Sequence, residues 1–172
     1  MAATENAELV FVPLGGVGEI GMNFGLNARE WLIVDVGVTF PDPAHPGVDL
    51  ILPDTRFIED KLEKVRGIVI THAHEDHYGA LHDIWPRLQA PVWMTPFAAG
   101  LLEAKRQSEQ GAPKIPVTIY RGGEKFTVGP FEIEAIPVAH SIPEPMSLAI
   151  TTPAGTVIHT GDWKIDPAPT LG

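Results

Sequence analysis

The chain is 172 residues long and 44% hydrophobic, with 22 acidic against 12 basic side chains for a formal net charge of −10. That length supports one domain with a real core, and the absence of cysteine excludes disulfides, thiolate metal sites and a cysteine nucleophile. The acidic balance argues against a free-standing nucleic-acid binder, which draws on Lys and Arg to displace counterions from phosphates. No apolar run approaches the roughly 18 residues that cross a bilayer. No basic-then-apolar leader opens the sequence either, so the expectation is a cytoplasmic protein with no membrane partner.

ELVFVP (8–13) predicts a first strand, ended by a proline. LGGVGEIG (14–21) is a glycine-rich turn, and NFGLNA followed by WLIVDV predicts a hairpin of two strands. VTFPDPAHPGVDLILPD (38–54) is a proline-rich loop, TRFIEDKLEKV a short helix, and RGIVI (66–70) an apolar strand of the buried kind. After THAHEDH (71–77), YGALHDIWPRL predicts a helix that Pro86 should shorten or kink. PVWM is a strand, and PFAAGLLEAKRQSEQG is the strongest helix, with proline at its start and glycine past its end. From residue 116 the pattern turns to strands: PVTIY, KFTV, FEIEAIPV, MSLAITT and TVIHT. Strands at both ends with βα units between them predict a layered α/β fold with a mixed sheet. The sequence stops ten residues after Asp162 without a closing helix, and reads as the first part of a longer domain.

The chemistry concentrates in THAHEDH. His72 and His74 flank one residue, so at an extended strand end both side chains project to the same side. Asp76 and His77 follow where the chain turns into the next helix. Imidazole and carboxylate suit zinc, and also manganese or iron. One tetrahedral ion cannot use all of these donors and keep an open position, whereas two ions can. A solvated polar loop is the plainer reading, but the buried strand before the cluster and its tight spacing weigh against it. His140 ends EIEAIPVAH and Asp162 ends TVIHTGD, each past an apolar strand at the loop edge of a sheet, where open α/β sheets bind ligands. Glu75 should point away from the ligands, and Ser141 reads as a turn hydroxyl. His159 reads as a packed core residue, and His82 and His45 as solvated ones. Lys105, Arg106, Arg121 and Lys164 are the weak outline of a phosphate track.

With these residues in view, the chain resembles the metallo-β-lactamase superfamily, whose metal motifs are HxHxDH, a later histidine at a strand end and a later aspartate in TGD. The joint presence of GGVGEIG, HEDHYGAL, HSIPE and TGDWKID is more specific, and resembles the ribonuclease J family of the β-CASP group of nucleases. The likeness runs through LGGVGEIGMN (14–23), VDVGVTFP (34–41), GVDLILPD (47–54), THAHEDHYGAL (71–81), AHSIPEP (139–145) and HTGDWKIDPAP (159–169). Met22 departs from it, standing where the family is expected to carry a basic residue. The resemblance implies an αββα sandwich with mixed sheets, of which residues 1–172 form the first part, truncated before the β-CASP insertion. The β-CASP domain and C-terminal regions would lie outside this chain.

It also implies two Zn2+ ions, with Mn2+ or Mg2+ as alternatives. His72, His74 and His140 would hold one, Asp76 and His77 the other, and Asp162 would bridge both. A further histidine ligand would lie beyond residue 172. Asp35 would orient the histidine loop without ligating, and the glycine-rich segment would let the backbone pack close under the site. The implied activity is hydrolysis of RNA phosphodiester bonds, 5′-to-3′ exonucleolytic with endonuclease activity, in RNA processing and decay. Asp76 and Asp162 would be the catalytic side chains, and no residue of the chain is assigned to protonate the leaving oxygen. The implied partner is 5′-monophosphorylated RNA and the implied assembly a homo-oligomer, dimer or tetramer, with the isolated fragment inactive. The alternatives are a thioester or lactam hydrolase of the same fold, and a non-catalytic module.

Overall fold

A computed structural model describes residues 9–14, 25–27 (backbone only), 30–41 and 46–168. The glycine-rich turn after Leu14, Met22 and His45 lie outside these residues. The first sheet has six strands in chain order: β1 (Leu9–Val10), β2 (Gly25–Asn27), β3 (Glu30–Val34), β4 (Val65–Val69), β5 (Val92–Met94) and β6 (Val117–Ile119). Its first three strands run antiparallel, including the expected β2–β3 hairpin, and β3 to β6 run parallel. The second sheet is antiparallel, in the order β10 (Gly155–His159), β9 (Met146–Thr152), β8 (Phe131–Pro137) and β7 (Lys125–Val128).

The sequence patterns explain the layering. In β8 the side chains alternate, with Phe131, Ile133 and Ala135 buried and Glu132 exposed, so one face meets a core and the other faces water. In β3 and β4 both faces are apolar and both are covered. Leu32, Val34 and Val69 pack against the second sheet, while Ile33, Ile68 and Ile70 pack against helices. Those helices are α1 (Arg56–Glu59), α2 (Glu75–Tyr78), α3 (Leu81–Leu88) and α4 (Pro96–Ser108). They contribute Ile58, Tyr78, Leu81, Ile84, Leu88, Ala98 and Leu102 to that core. Each leucine and isoleucine among them, fully buried, contributes about 1.5–3 kcal/mol before the entropy of ordering it. Three layers result, α, β and β; among the described residues no helix covers the outer face of the second sheet.

Several boundaries differ from the expectations. TRFIEDKLEKV divides into α1 and a 3-10 turn at Leu62–Lys64. The helix expected over YGALHDIWPRL begins earlier and in two pieces, because His74 in extended conformation lets Glu75 open α2. Pro86 is accommodated inside α3, which ends two residues later with Gln89 left-handed. α4 matches its prediction: Pro96 opens it, and the Thr95 hydroxyl accepts from Ala98 N.

Candidate metal centre

The site forms where the C-terminal end of β4 meets the loops that follow β8 and β10. The chain passes from β4 through Thr71 to α2, carrying His72, His74, Asp76 and His77. The segment 35–38 backs it: Val36 N donates to His77 O and Val38 N to Glu75 O. Gly37 permits this approach, since a Cβ there would sit 1.6 Å from Asp76 O. On the other side, Gly161 adopts φ +55, a conformation that favours glycine, and the chain then presents Asp162.

Asp35 organises the base of the site. It is fully buried with φ +64, unusual for a side chain of its kind, and its carboxylate compensates by accepting from Thr71 N (2.7 Å), Thr71 Oγ1 (2.9 Å) and His77 Nδ1 (2.8 Å). These bonds fix the imidazoles. Because the Thr71 hydroxyl gives its hydrogen to Asp35, its oxygen accepts from His72 Nδ1 at 3.0 Å, which leaves the lone pair of His72 on Nε2. His77, held through Nδ1, likewise turns Nε2 inward.

The inward atoms converge. His72 Nε2 and His140 Nε2 each lie 3.1 Å from His74 Nδ1. His77 Nε2 is 3.5 Å from Asp76 Oδ2 and 3.5 Å from Asp162 Oδ2. Asp162 Oδ2 is also 3.8 Å from His140 Nε2, so it stands between two groups of donors. Two sets have ligand atoms within 4.8 Å of one another: His72, His74 and His140, and His72, His77 and Asp162. All six residues singled out from the sequence are thus brought together, with His72 common to both sets and Asp76 at the edge of the second.

The electrostatics suit cation binding. Burial pushes His72 down to about 4, helped by the charge of His77, and burial followed by His74 pushes His140 down. Both rings are therefore in the neutral form that ligates. His77 goes the other way: burial alone would lower it, but the Asp35 carboxylate outweighs that and raises it to about 10. The hydrogen bond to His77 holds Asp76 below the usual carboxylate range, so it is ionised. The Nδ1 atom of His140 is buried without a partner. Facing nitrogens with ionised carboxylates beside them form a donor set that a divalent cation satisfies and that water alone serves poorly.

Other residues fall where they were not expected. His82 is buried rather than solvated: α3 turns it inward, and its Nδ1 sits 3.2 Å from Glu109 Oε2. His159 is half-buried, at the end of an otherwise exposed strand, with Nε2 3.9 Å from Asp35 Oδ2. Ser141 Oγ lies at the limit of contact with His74 Nε2, 3.5 Å away. Glu75, expected to stay outside the cluster, has a partner on α4: Lys105 Nζ donates to its Oε2 at 2.7 Å. Lys105, Arg106 and Lys164 pair with Glu75, Glu103 and Asp166, so three of the four charges expected as a phosphate track are engaged by carboxylates. Glu144 was missed altogether. Its carboxylate accepts from Phe97 N at 2.7 Å, a contact across 47 residues that no local pattern signals.

Fold and site together define the class. Residues 30–171 match the beta-lactamase superfamily domain, and the chain belongs to that superfamily. Within it, 98% of the chain aligns at 58% identity with ribonuclease J of Sinorhizobium meliloti and at 41% with ribonuclease J of Helicobacter pylori. Ribonuclease J of Corynebacterium glutamicum aligns at 47% identity over 92% of the chain. The chain spans only 31%, 25% and 22% of those three proteins, in their N-terminal parts. Among solved structures, a protein of unknown function from Enterococcus faecalis V583 superposes with a TM-score of 0.60 at 19% identity, over 91% of this chain and 43% of that one. The metallo-beta-lactamase fold protein YhfI of Bacillus subtilis does so with 0.58 at 18%, over 90% and 61%. At that identity the structures speak for the fold alone.

Proposed function

We propose that this chain is the metal-binding part of a metal-dependent ribonuclease. The observation that carries the metal reading is the convergence of four imidazoles and two carboxylates from both sheets on one edge of the sandwich. The RNA substrate rests on the similarity to ribonuclease J over nearly the whole chain. His72, His74 and His140 would hold one cation and His77 with Asp76 the second, with Asp162 shared. Zinc fits the nitrogen-rich set, and manganese or magnesium are the alternatives. When bound, such cations supply Lewis acidity toward a phosphodiester and acidify water at neutral pH.

The chain's own groups do the rest. Asp35 and Thr71 lock the ring orientations, so that nitrogen lone pairs face the substrate side. Asp76, ionised and only partly buried, would both ligate and orient the attacking water. Asp162, nearly half exposed, sits at the mouth of the site where the phosphate arrives. The resemblance supports 5′-to-3′ removal of nucleotides from 5′-monophosphorylated RNA with some internal cleavage, by a cytoplasmic homo-oligomer acting in RNA processing and decay. No helix among the described residues is long and apolar enough to cross a membrane.

The test incubates the full-length protein, loaded with zinc or manganese, with 5′-monophosphorylated RNA and, separately, with a thioester and a β-lactam. RNA cleavage that Asp76→Asn abolishes, with its fold intact by circular dichroism, is the expected result. Turnover of the small molecules without RNA cleavage would overturn the nuclease reading. Absence of bound metal after purification and reloading would overturn the metal reading.

A further inference from the structure

The donors at the site come from segments far apart in sequence, among them the 72–77 turn and the 140–144 loop, and His74 Nδ1 of the first lies 3.1 Å from His140 Nε2 of the second. One helix touches both. Near its C-terminal end, Lys105 Nζ donates to Glu75 Oε2 at 2.7 Å and to Gly79 O at 3.1 Å, with the ammonium 5.6 Å from the centre of the Tyr78 ring. These contacts grip both ends of α2, the single turn that presents Asp76 and His77. At the other end of the helix, Glu144 Oε2 accepts from Phe97 N at 2.7 Å. Phe97 N belongs to the first turn, whose amides have no partner within the helix, so an outside acceptor is bound there for a physical reason. Glu144 takes up this post at φ +56, a left-handed conformation that a non-glycine residue holds only when its surroundings favour it. Only three residues separate it from His140.

We propose that α4 is a brace that sets the Asp76–His77 turn against the His140 loop, with Lys105 and Glu144 as positioning residues at its two ends. Neither residue touches substrate or cation. Lys105 acts through Glu75 on the Asp76–His77 side, and Glu144 acts through its loop on His140. Glu75 thus has a role although it ligates nothing, and Lys105 is withdrawn from any contact with phosphate. This assignment rests on the metal reading above, and it makes a demand that a merely stabilising contact would not: the two ends of one helix should affect different cations.

The experiment compares Lys105→Met and Glu144→Ala in the full-length protein, with Lys105→Arg and Glu144→Gln as variants that keep the donor and the acceptor. Competition against a chromophoric chelator gives separate affinities for the two Zn2+ ions, and amide exchange follows residues 75–79 and 139–143. Lys105→Met is expected to weaken one ion about tenfold and Glu144→Ala the other by a similar factor, the range seen when a ligand loses its outer support. The two conservative variants should recover most of the loss. Exchange should quicken at 75–79 in Lys105→Met and at 139–143 in Glu144→Ala. Equal weakening of both ions by each variant would overturn the brace, as would a lower melting temperature with both affinities unchanged. Should the unmodified protein take up no zinc, the metal reading fails by itself. The brace is then decided by exchange alone: localised quickening supports it, and unchanged exchange at both segments overturns it.

Discussion

Asp35 and His77 form a buried pair whose charges depend on each other. His77 is raised from an ordinary 6.5 to about 10, so the ring carries its proton across neutral pH. A raised folded value stabilises fully below pH 6.5 and is lost as pH climbs through about 10. A cation at Nε2 would take the place of that proton. Zinc uptake at pH 7 is therefore expected to release protons, and affinity should rise with pH toward about 10. Calorimetry in buffers of different ionisation enthalpy measures the release. Asp35→Asn should shrink it and cost about 1.5–3 kcal/mol by urea denaturation, since a charged acceptor of three hydrogen bonds is lost. Proton release equal in both proteins would contradict this account. The histidine and aspartate cluster at 72–77 stood out in the sequence because its chemistry is local and dense. The partners that fix its ring tautomers stood out less: Thr71 stands beside the cluster, but nothing in its neighbours says that its hydroxyl serves Asp35.

At the scale of elements, the close fit of segment 35–38 on α2 decides where Asp76 and His77 point. Gly37→Ala would drive a methyl group into the carbonyl of Asp76, and backbone cannot yield as a side-chain tip does. The expected cost is about 3 kcal/mol, at the upper end for overpacking. Zinc affinity should fall with it, read by denaturation and by chelator competition on one sample. A change below about 0.5 kcal/mol, the range of a neutral surface substitution, would show that the contact is softer than it looks. The strands were readable because period-two alternation in FEIEAIPV and unbroken apolar runs in WLIV and GIV each leave one arrangement. α2 was not, because four residues carry too little periodicity, and its start depends on His74 being held extended. His82 escaped because its partner is remote: the Glu109 carboxylate that meets its Nδ1 lies 27 residues further along the chain.

At the scale of the molecule, the proposed ligands come from both sheets, the histidine cluster from the end of β4 and His140 and Asp162 from loops after β8 and β10. A cation bound there would fasten one sheet to the other. Zinc at about 100 times its dissociation constant should add about 2.7 kcal/mol to the unfolding free energy. That corresponds to a rise in melting temperature of about 5–10 °C for a chain of this size. Scanning calorimetry with and without a chelator measures it, and a His140→Ala protein should gain much less. An increment confined to one sheet in amide exchange would contradict the fastening. The layered architecture was legible from the order of predicted elements. The docking of the second sheet's loops on the first was not, since it depends on contacts between segments remote in sequence, such as Met146 N to Thr71 O.

The strand β10 pairs with β9 on one side, and among the described residues nothing pairs with the other. Val157 and Ile158 lie exposed on it, with Trp163 and Ile165 exposed a few residues on. Free backbone donors and acceptors beside β-branched side chains are the ingredients of intermolecular sheet growth. In the test tube this predicts a colloidal problem: the 172-residue chain expressed alone should scatter more light as it is concentrated. Val157→Lys with Ile158→Lys should suppress that scattering while leaving the melting temperature nearly unchanged. Solubility would then be governed by five residues on the rim of the sandwich rather than by the formal charge of −10.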